Sequence, residues 1–209
     1  MVSAADSDNP GQVSKGQPIT DLAEAPNQSS GFVLAGAIMI GMLAALGYAA
    51  VVFVRGAEEQ PSRPRRAWLA YATPALAIVG LAVAAYLSYV ETQSVRAICG
   101  PVGDCNAVQN SSYARLFGVL PVGVLGMIGY VAILVAWVYP RLRADRLARY
   151  APLAVFVMAV FGTLFCVYLT YLEIFVIRAV CIWCLTTAVI ITLLMLVNLR
   201  PALEGFQED

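Results

Sequence analysis

The sequence predicts an all-α polytopic membrane protein with five spanning helices. One observation is compositional: 60% of the residues are hydrophobic, 12% are charged, and the mean hydropathy is +0.76. A water-soluble domain of this length cannot cover that much apolar surface with polar groups. The other is arrangement, because the apolar residues gather into five long runs. Each run exceeds the about 20 helical residues needed to cross a hydrocarbon core about 30 Å thick. Only helices and closed barrels satisfy their backbone in lipid, and runs apolar on every face are helices.

In chain order, residues 1–30 are polar and rich in Pro, Gly, Ser, Asn and Gln, so they read as a disordered tail. The first span is Gly31 to Val54, too long and too far from the start for an ordinary signal peptide. A solvated basic linker leads to the second span, Ala67 to Val90. A long loop follows, "ETQSVRAICGPVGDCNAVQNSSYARLFGVLP", and connections of that length are either functional or disordered. Gly100-Pro101 and Gly103-Asp104 carry turn chemistry, and Asn106 to Leu116 suits a short helix on the membrane surface. Pro121 suits the opening turn of the third span, Gly118 to Tyr139, where a missing N–H costs nothing. Gly118, Gly123, Gly126 and Gly129 in that span read as a close-packing seam in preference to a ligand site. The fourth span is Ala151 to Ile177, the fifth is Ala179 to Leu199, and residues 200–209 read as a short tail.

Basic residues set the expected orientation. With five spans, one side holds nine: Arg55, Arg63, Arg65, Arg66, Arg141, Arg143, Arg146, Arg149 and Arg200. The other side holds four: Lys15, Arg96, Arg115 and Arg178. The richer side should be cytoplasmic, which places the amino terminus outside and the carboxyl terminus inside a plasma membrane. The zero net charge and scattered basic residues exclude an electrostatic nucleic-acid footprint.

That orientation puts Cys99, Cys105, Cys181 and Cys184 at the outer face, where disulfides form and persist. The fifth cysteine, Cys166, falls about 18 Å below the outer boundary at 1.5 Å per helical residue, and reads as a small hydrophobe in the packing. Cys181 and Cys184 lie three apart at the start of the last span, hence on one helical face, with Cys181 at the water boundary and Cys184 deeper. The amide dipoles of a helix start favour a thiolate there. Such a pair can carry electrons from a water-side disulfide to an acceptor in lipid. Cys99 and Cys105, in a turn-rich loop, can close a small disulfide able to visit a soluble protein. There is no histidine, but thiol–disulfide exchange needs only a thiolate with access to a sulfur. Two static disulfides are the competing reading, although a bond across one helical turn staples little. A four-cysteine zinc site is disfavoured at a lipid boundary.

The segments "CGPVGDC", "CNAVQNSSYARLFGVLPVGVLGMIGY" and "CIWCLTT" together resemble the bacterial form of the vitamin K epoxide reductase family. The resemblance runs from about Trp68 to Leu199 and rests on both cysteine pairs, a serine after the second loop cysteine, the Phe-Gly and Pro that follow, and the C-x-x-C opening the last span. It implies a four-helix catalytic bundle at residues 67–199 around a quinone (menaquinone or ubiquinone), with residues 31–54 as an extra helix. It implies that Cys99 exchanges with a thioredoxin-like partner on the outer face, that Cys105 forms the mixed disulfide with Cys181, and that Cys184 lies beside the quinone. Ser111 matches a serine near the family's active site; its competing role is a hydroxyl bonded to the backbone of the surface helix. Tyr86 and Tyr89, with Tyr168 and Tyr171, are candidate quinone contacts, although an interfacial aromatic belt explains them equally. Glu91 and Glu173 are expected at solvated headgroup positions. Bacterial relatives often carry a fused thioredoxin-like domain, whereas only "PALEGFQED" follows the last span here, so the partner is expected to be a separate protein. Where mammalian enzymes have a tyrosine four residues past the second C-x-x-C cysteine, this chain has Ala188, which argues against direct vitamin K epoxide chemistry.

The reading is a membrane thiol oxidoreductase that reoxidises an extracytoplasmic disulfide-forming protein and passes the electrons to quinone. The alternatives are an enzyme whose purpose is quinone or epoxide reduction, and a structural or transport protein with static disulfides.

Overall fold

The apolar runs become helices because lipid leaves their backbone no other partner. The computed structural model describes residues 25–55, 69–93, 95–99, 103–116, 120–143 and 145–207. The expected tail up to residue 24, the basic linker, the Gly100-Pro101 turn and Gly118 lie outside the described residues. Among the described residues five helices are long and apolar enough to cross a membrane. They are α1 (Ala25–Arg55), α2 (Leu69–Gln93), α4 (Val122–Leu142), α5 (Arg146–Tyr171) and α6 (Ile182–Gln207). A π-helical turn, Leu172–Ile177, continues α5.

The helices overrun the expected ends. α1 starts before Gly31 and α6 continues through Pro201, beyond Leu199. α5 starts at Arg146 because Asp145 caps it, its carboxylate accepting from the Ala148 N–H at 3.3 Å. Hydropathy reports the thickness of the apolar slab, whereas backbone hydrogen bonding continues into polar residues with helical propensity.

The surface helix is shorter than expected. α3 covers only Cys105–Gln109, capped by Asp104, whose side chain accepts from Ala107 N–H at 3.1 Å. The Ser111 hydroxyl donates to the Val108 carbonyl at 2.7 Å, and this local bond competes with helix continuation. A 3₁₀ turn, Ser112–Ala114, and a two-residue antiparallel pairing of β1 (Arg115–Leu116) with β2 (Leu120–Pro121) then lead into α4. Pro121 stands at the N-cap of α4, one residue outside its first turn.

α2 packs on α4, α4 on α5, α5 on α6, and α6 back on α2, which closes a ring of four helices. α1 lies outside the ring against α5 and α6. The main core includes Ala77, Ile133, Ala159, Leu194 and Met195. Thr73 donates to the Asn198 side chain at 3.2 Å, tying α2 to α6 with both polar groups buried. Of the glycines expected to form a seam, Gly123 alone is sterically required among those described: a Cβ there would come within 2.7 Å of the Ser88 backbone nitrogen on α2. Gly126 makes ordinary contact with Ala84, and Gly129 has open space beside it.

Candidate redox centre

The end of the ring where α2 and α5 finish and α4 and α6 begin carries the four paired cysteines. α5 reaches it through the π turn and closes with Arg178 in the left-handed region at φ 56°. π turns occur preferentially at functional sites. This corner reverses the chain within a few residues and delivers Cys181 to the start of α6. Leu185 N–H donates to the Cys181 carbonyl at 3.0 Å, the first helical bond, so Cys181 is the N-cap residue of α6. Cys184 sits on the first turn and opens onto the interior of the ring.

All five cysteines are free thiols. Four form an unbroken line of sulfur contacts: Cys99 with Cys105, Cys105 with Cys181, and Cys181 with Cys184. Cys184 in turn touches the carboxylate of Glu173. Cys105 and Cys181 are wholly buried, within a cluster that includes Val90, Ala97, Val108 and Ala179. Cys181 is therefore not at a water boundary, because the loop folds over it.

Three of these thiols, Cys99, Cys105 and Cys181, lie outside the membrane-spanning segments and are held protonated. Burial, followed by the neighbouring Cys105 thiol, pushes Cys99 up to about 11. The hydrogen bond to Cys181, then burial, drives Cys105 well above the ordinary thiol range. At Cys181 the Cys105 hydrogen bond favours the thiolate, but the Cys184 contact, burial and the Glu173 charge outweigh it and the value rises. This corrects the expectation of a thiolate stabilised by the helix start. The Cys181 N–H donates instead to Glu173 Oε2 at 3.3 Å, so a carboxylate takes a donor that would have faced the sulfur.

Glu173 is 2% exposed, not a solvated headgroup residue. Its carbonyl also accepts from the Ala179 N–H at 3.1 Å, so one residue organises both the corner and the thiol pair. Glu91 is also drawn inward and accepts from the Gly123 N–H at 2.9 Å. An acidic residue inside an apolar run is a signal of function, and both were readable in that way.

Below Cys184 the ring encloses a cavity of about 520 Å³. Its walls include Leu87, Phe161, Phe165, Tyr130 and Ile191, with Glu91 and Glu173 also reaching it. Ser111 lines the cavity while its hydroxyl donates to the Val108 carbonyl. Gln109 stands beside it with a buried Oε1 that has no hydrogen-bond partner. Cys166 packs on the main core and also opens onto the cavity. Tyr86, Tyr89, Tyr168 and Tyr171 do not line it. Tyr89, Tyr168 and Tyr171 face outward, and Tyr86 turns to the loop, where its hydroxyl accepts from the Ile98 N–H at 2.8 Å. The tyrosines that line it are Tyr113 of the 3₁₀ turn and Tyr130 of α4, whose hydroxyl reaches the Thr187 carbonyl at 3.4 Å. Spacing along a single helix does not reveal this, because it depends on which face the bundle turns inward.

The residues fit a quinone. The volume lies within the roughly 300–1,000 Å³ of small-molecule sites, which pair apolar walls with a few polar groups. Gln109 Oε1 is an orphaned acceptor suited to a quinol hydroxyl.

Five membrane-crossing helices and four thiols in line above an apolar cavity define an integral membrane oxidoreductase. The model of the vitamin K epoxide reductase family matches residues 71–199. That is the greater part of the chain, and the protein belongs to this family, whose members generally use a quinone.

Proposed function

We propose that the protein is a thiol oxidase of the plasma membrane that reoxidises a soluble thioredoxin-like disulfide-forming protein and delivers the electrons to a quinone. The observation that carries this reading is the line of contacts Cys99–Cys105–Cys181–Cys184, which ends at the cavity. The excess of basic residues at the opposite end supports an extracytoplasmic position for the thiols, with the amino terminus outside and the carboxyl terminus in the cytoplasm.

The cycle starts with both pairs as disulfides. A thiolate of the reduced partner attacks Cys99 and displaces Cys105; the partner's second thiol then attacks the mixed disulfide. The partner leaves oxidised, and Cys99 and Cys105 hold its two electrons. Cys105 attacks the Cys181–Cys184 disulfide at Cys181 and expels Cys184, which takes up the proton that Cys105 gives up and leaves as a thiol. Cys99 then attacks Cys105, restores the loop disulfide and releases Cys181. Reoxidation of Cys181 and Cys184 gives up two electrons and two protons. The cavity, with Gln109 Oε1 as an acceptor on its wall, would hold a quinone, which would supply the two-electron, two-proton sink. Glu173, in contact with the Cys184 thiol, takes that thiol's proton and holds it at the cavity wall. Thiols held protonated suit this cycle, since a reduced pair cannot react with stray disulfides until a neighbour removes its proton.

The test is quinol formation by purified protein supplied with a reduced thioredoxin-like donor. One quinol per donor disulfide is expected, with none in Cys105→Ala or Cys181→Ala protein that still folds. Donor oxidation without quinol, or full turnover in either variant, would overturn the reading.

A further inference from the structure

The relay requires Cys105 and Cys181 to meet, yet one belongs to a loop and the other to a helix start. Two residues of the helical frame grip the loop at a single peptide neighbour of Cys99. The Ile98 N–H donates to the Tyr86 hydroxyl of α2 at 2.8 Å. The Ile98 carbonyl accepts from Trp183 Nε1 at 2.9 Å. Trp183 stands between Cys181 and Cys184, and its ring packs on Tyr86 with centroids 4.8 Å apart. The Ile98 side chain points away and is 78% exposed, so the grip reads backbone only.

The other limb of the loop is fitted by shape. Gly103 has φ +87°, and a Cβ there would overlap the Val180 carbonyl oxygen. Val180 immediately precedes Cys181, and Gly103 stands two residues before Cys105. Between the limbs Asn106 ties the loop to itself. Its Oδ1 accepts from the Ala97 N–H at 2.9 Å, and its Nδ2 contacts Cys99 Sγ at 3.7 Å.

We propose that Tyr86, Trp183 and Gly103 form a latch that registers the loop thiols on the helix thiols and so gates the Cys105-to-Cys181 handoff. They are positioning residues, and none of them lines the cavity. The inference rests on the proposed relay, and it assigns Tyr86 to the loop. Sulfur exchange is sensitive to placement, and a misplacement of about 1 Å can cost roughly 10²-fold in a positioned reaction. While the latch is closed it also covers Cys181, which is 0% exposed.

The experiment uses full-length protein carrying Tyr86→Phe with Trp183→Phe, which keeps an aromatic ring at each position and removes both hydrogen bonds, and separately Gly103→Ala. Ile98→Ala is the control, since both bonds go to the backbone. The first readout is maleimide labelling of Cys181 in reduced protein, followed by mass spectrometry. Labelling should accelerate at least about tenfold in the latch variants and remain unchanged in the control. The second is quinol formation driven by the protein donor compared with dithiothreitol, which can attack Cys181–Cys184 without the loop. Donor-driven turnover should fall at least about tenfold, while the dithiothreitol-driven rate holds or rises. Unchanged Cys181 labelling in both latch variants, or equal loss under both reductants, would overturn the proposal. Wild-type protein that makes no quinol with either reductant would defeat the relay reading alone, because Cys181 labelling still reports the latch.

Discussion

The two cysteine pairs are held by different means. Cys181 and Cys184 are placed by a helix start and a π-turned corner, where backbone hydrogen bonds and buried Glu173 leave little freedom. Cys99 and Cys105 are placed by a handful of tertiary contacts to side chains and one glycine. The structure thus sets a thiol pair built into the frame against a pair docked upon it. The relay proposed above needs that asymmetry, since it has one pair presented to a protein donor while the other stays against the cavity.

The largest effect that can break the comparison is removal of a sulfur from the middle of the line. Cys105→Ala and Cys181→Ala should each reduce donor-driven quinol formation to background without loss of the helical circular dichroism signal. If Cys105→Ala instead cost the fold while Cys181→Ala were silent, the loop pair would be a staple and the asymmetry structural.

Next comes the carboxylate. Glu173→Gln retains an acceptor for the Cys181 N–H but removes the base beside Cys184. Quinol formation should fall about 10²-fold, the usual scale of a lost general base, while exchange between the donor and the loop pair is unaffected in stopped-flow measurements. Equal slowing of both steps would mean that Glu173 acts only as a brace for the corner.

The loop pair offers a pH test. Cys99 is pushed up to about 11 from an ordinary 9.0, so folded protein keeps a proton that unfolded chain has lost between those values. The associated stability is complete below about pH 9 and disappears as pH rises through 11. Iodoacetamide labelling of Cys99 should therefore keep climbing about tenfold per pH unit beyond pH 9, whereas denatured protein levels off there.

Smaller effects separate frame from site. Gly123→Ala forces a methyl against the Ser88 backbone and should destabilise the α2–α4 contact by about 1–3 kcal/mol, seen as a lower thermal midpoint. Ser111→Ala loses one backbone-directed bond, worth about 0.5–1.5 kcal/mol, and should change turnover by less than about threefold.

The same contrast explains what could be read in the sequence. The spans and the family were legible because hydropathy and motif spacing are local properties, and the same spacing singled out the four cysteines that the fold brings into one line. Helix ends were not, since lipid thickness and hydrogen bonding stop at different residues, as at Arg146 and Gln207. Tyr86 and Tyr89 misled because adjacent turns of one helix face different surroundings, set only when α2 meets α4 and α6. Glu173 was placed in headgroups by its depth, but the π turn folds it back over the thiols. Gly103 read as an ordinary turn glycine; its need arises from Val180, far away in the chain.

The most direct measurement of the central claim is a trapped exchange. In Cys99→Ser protein, Cys105 lacks the thiol that would release it from Cys181. Non-reducing electrophoresis after alkylation, with mass spectrometry of the linked peptides, should show an accumulated Cys105–Cys181 disulfide. A crosslink of Cys105 to Cys184 in its place, or no crosslink of Cys105 while turnover continues, would contradict passage of electrons from the loop pair to the helix pair.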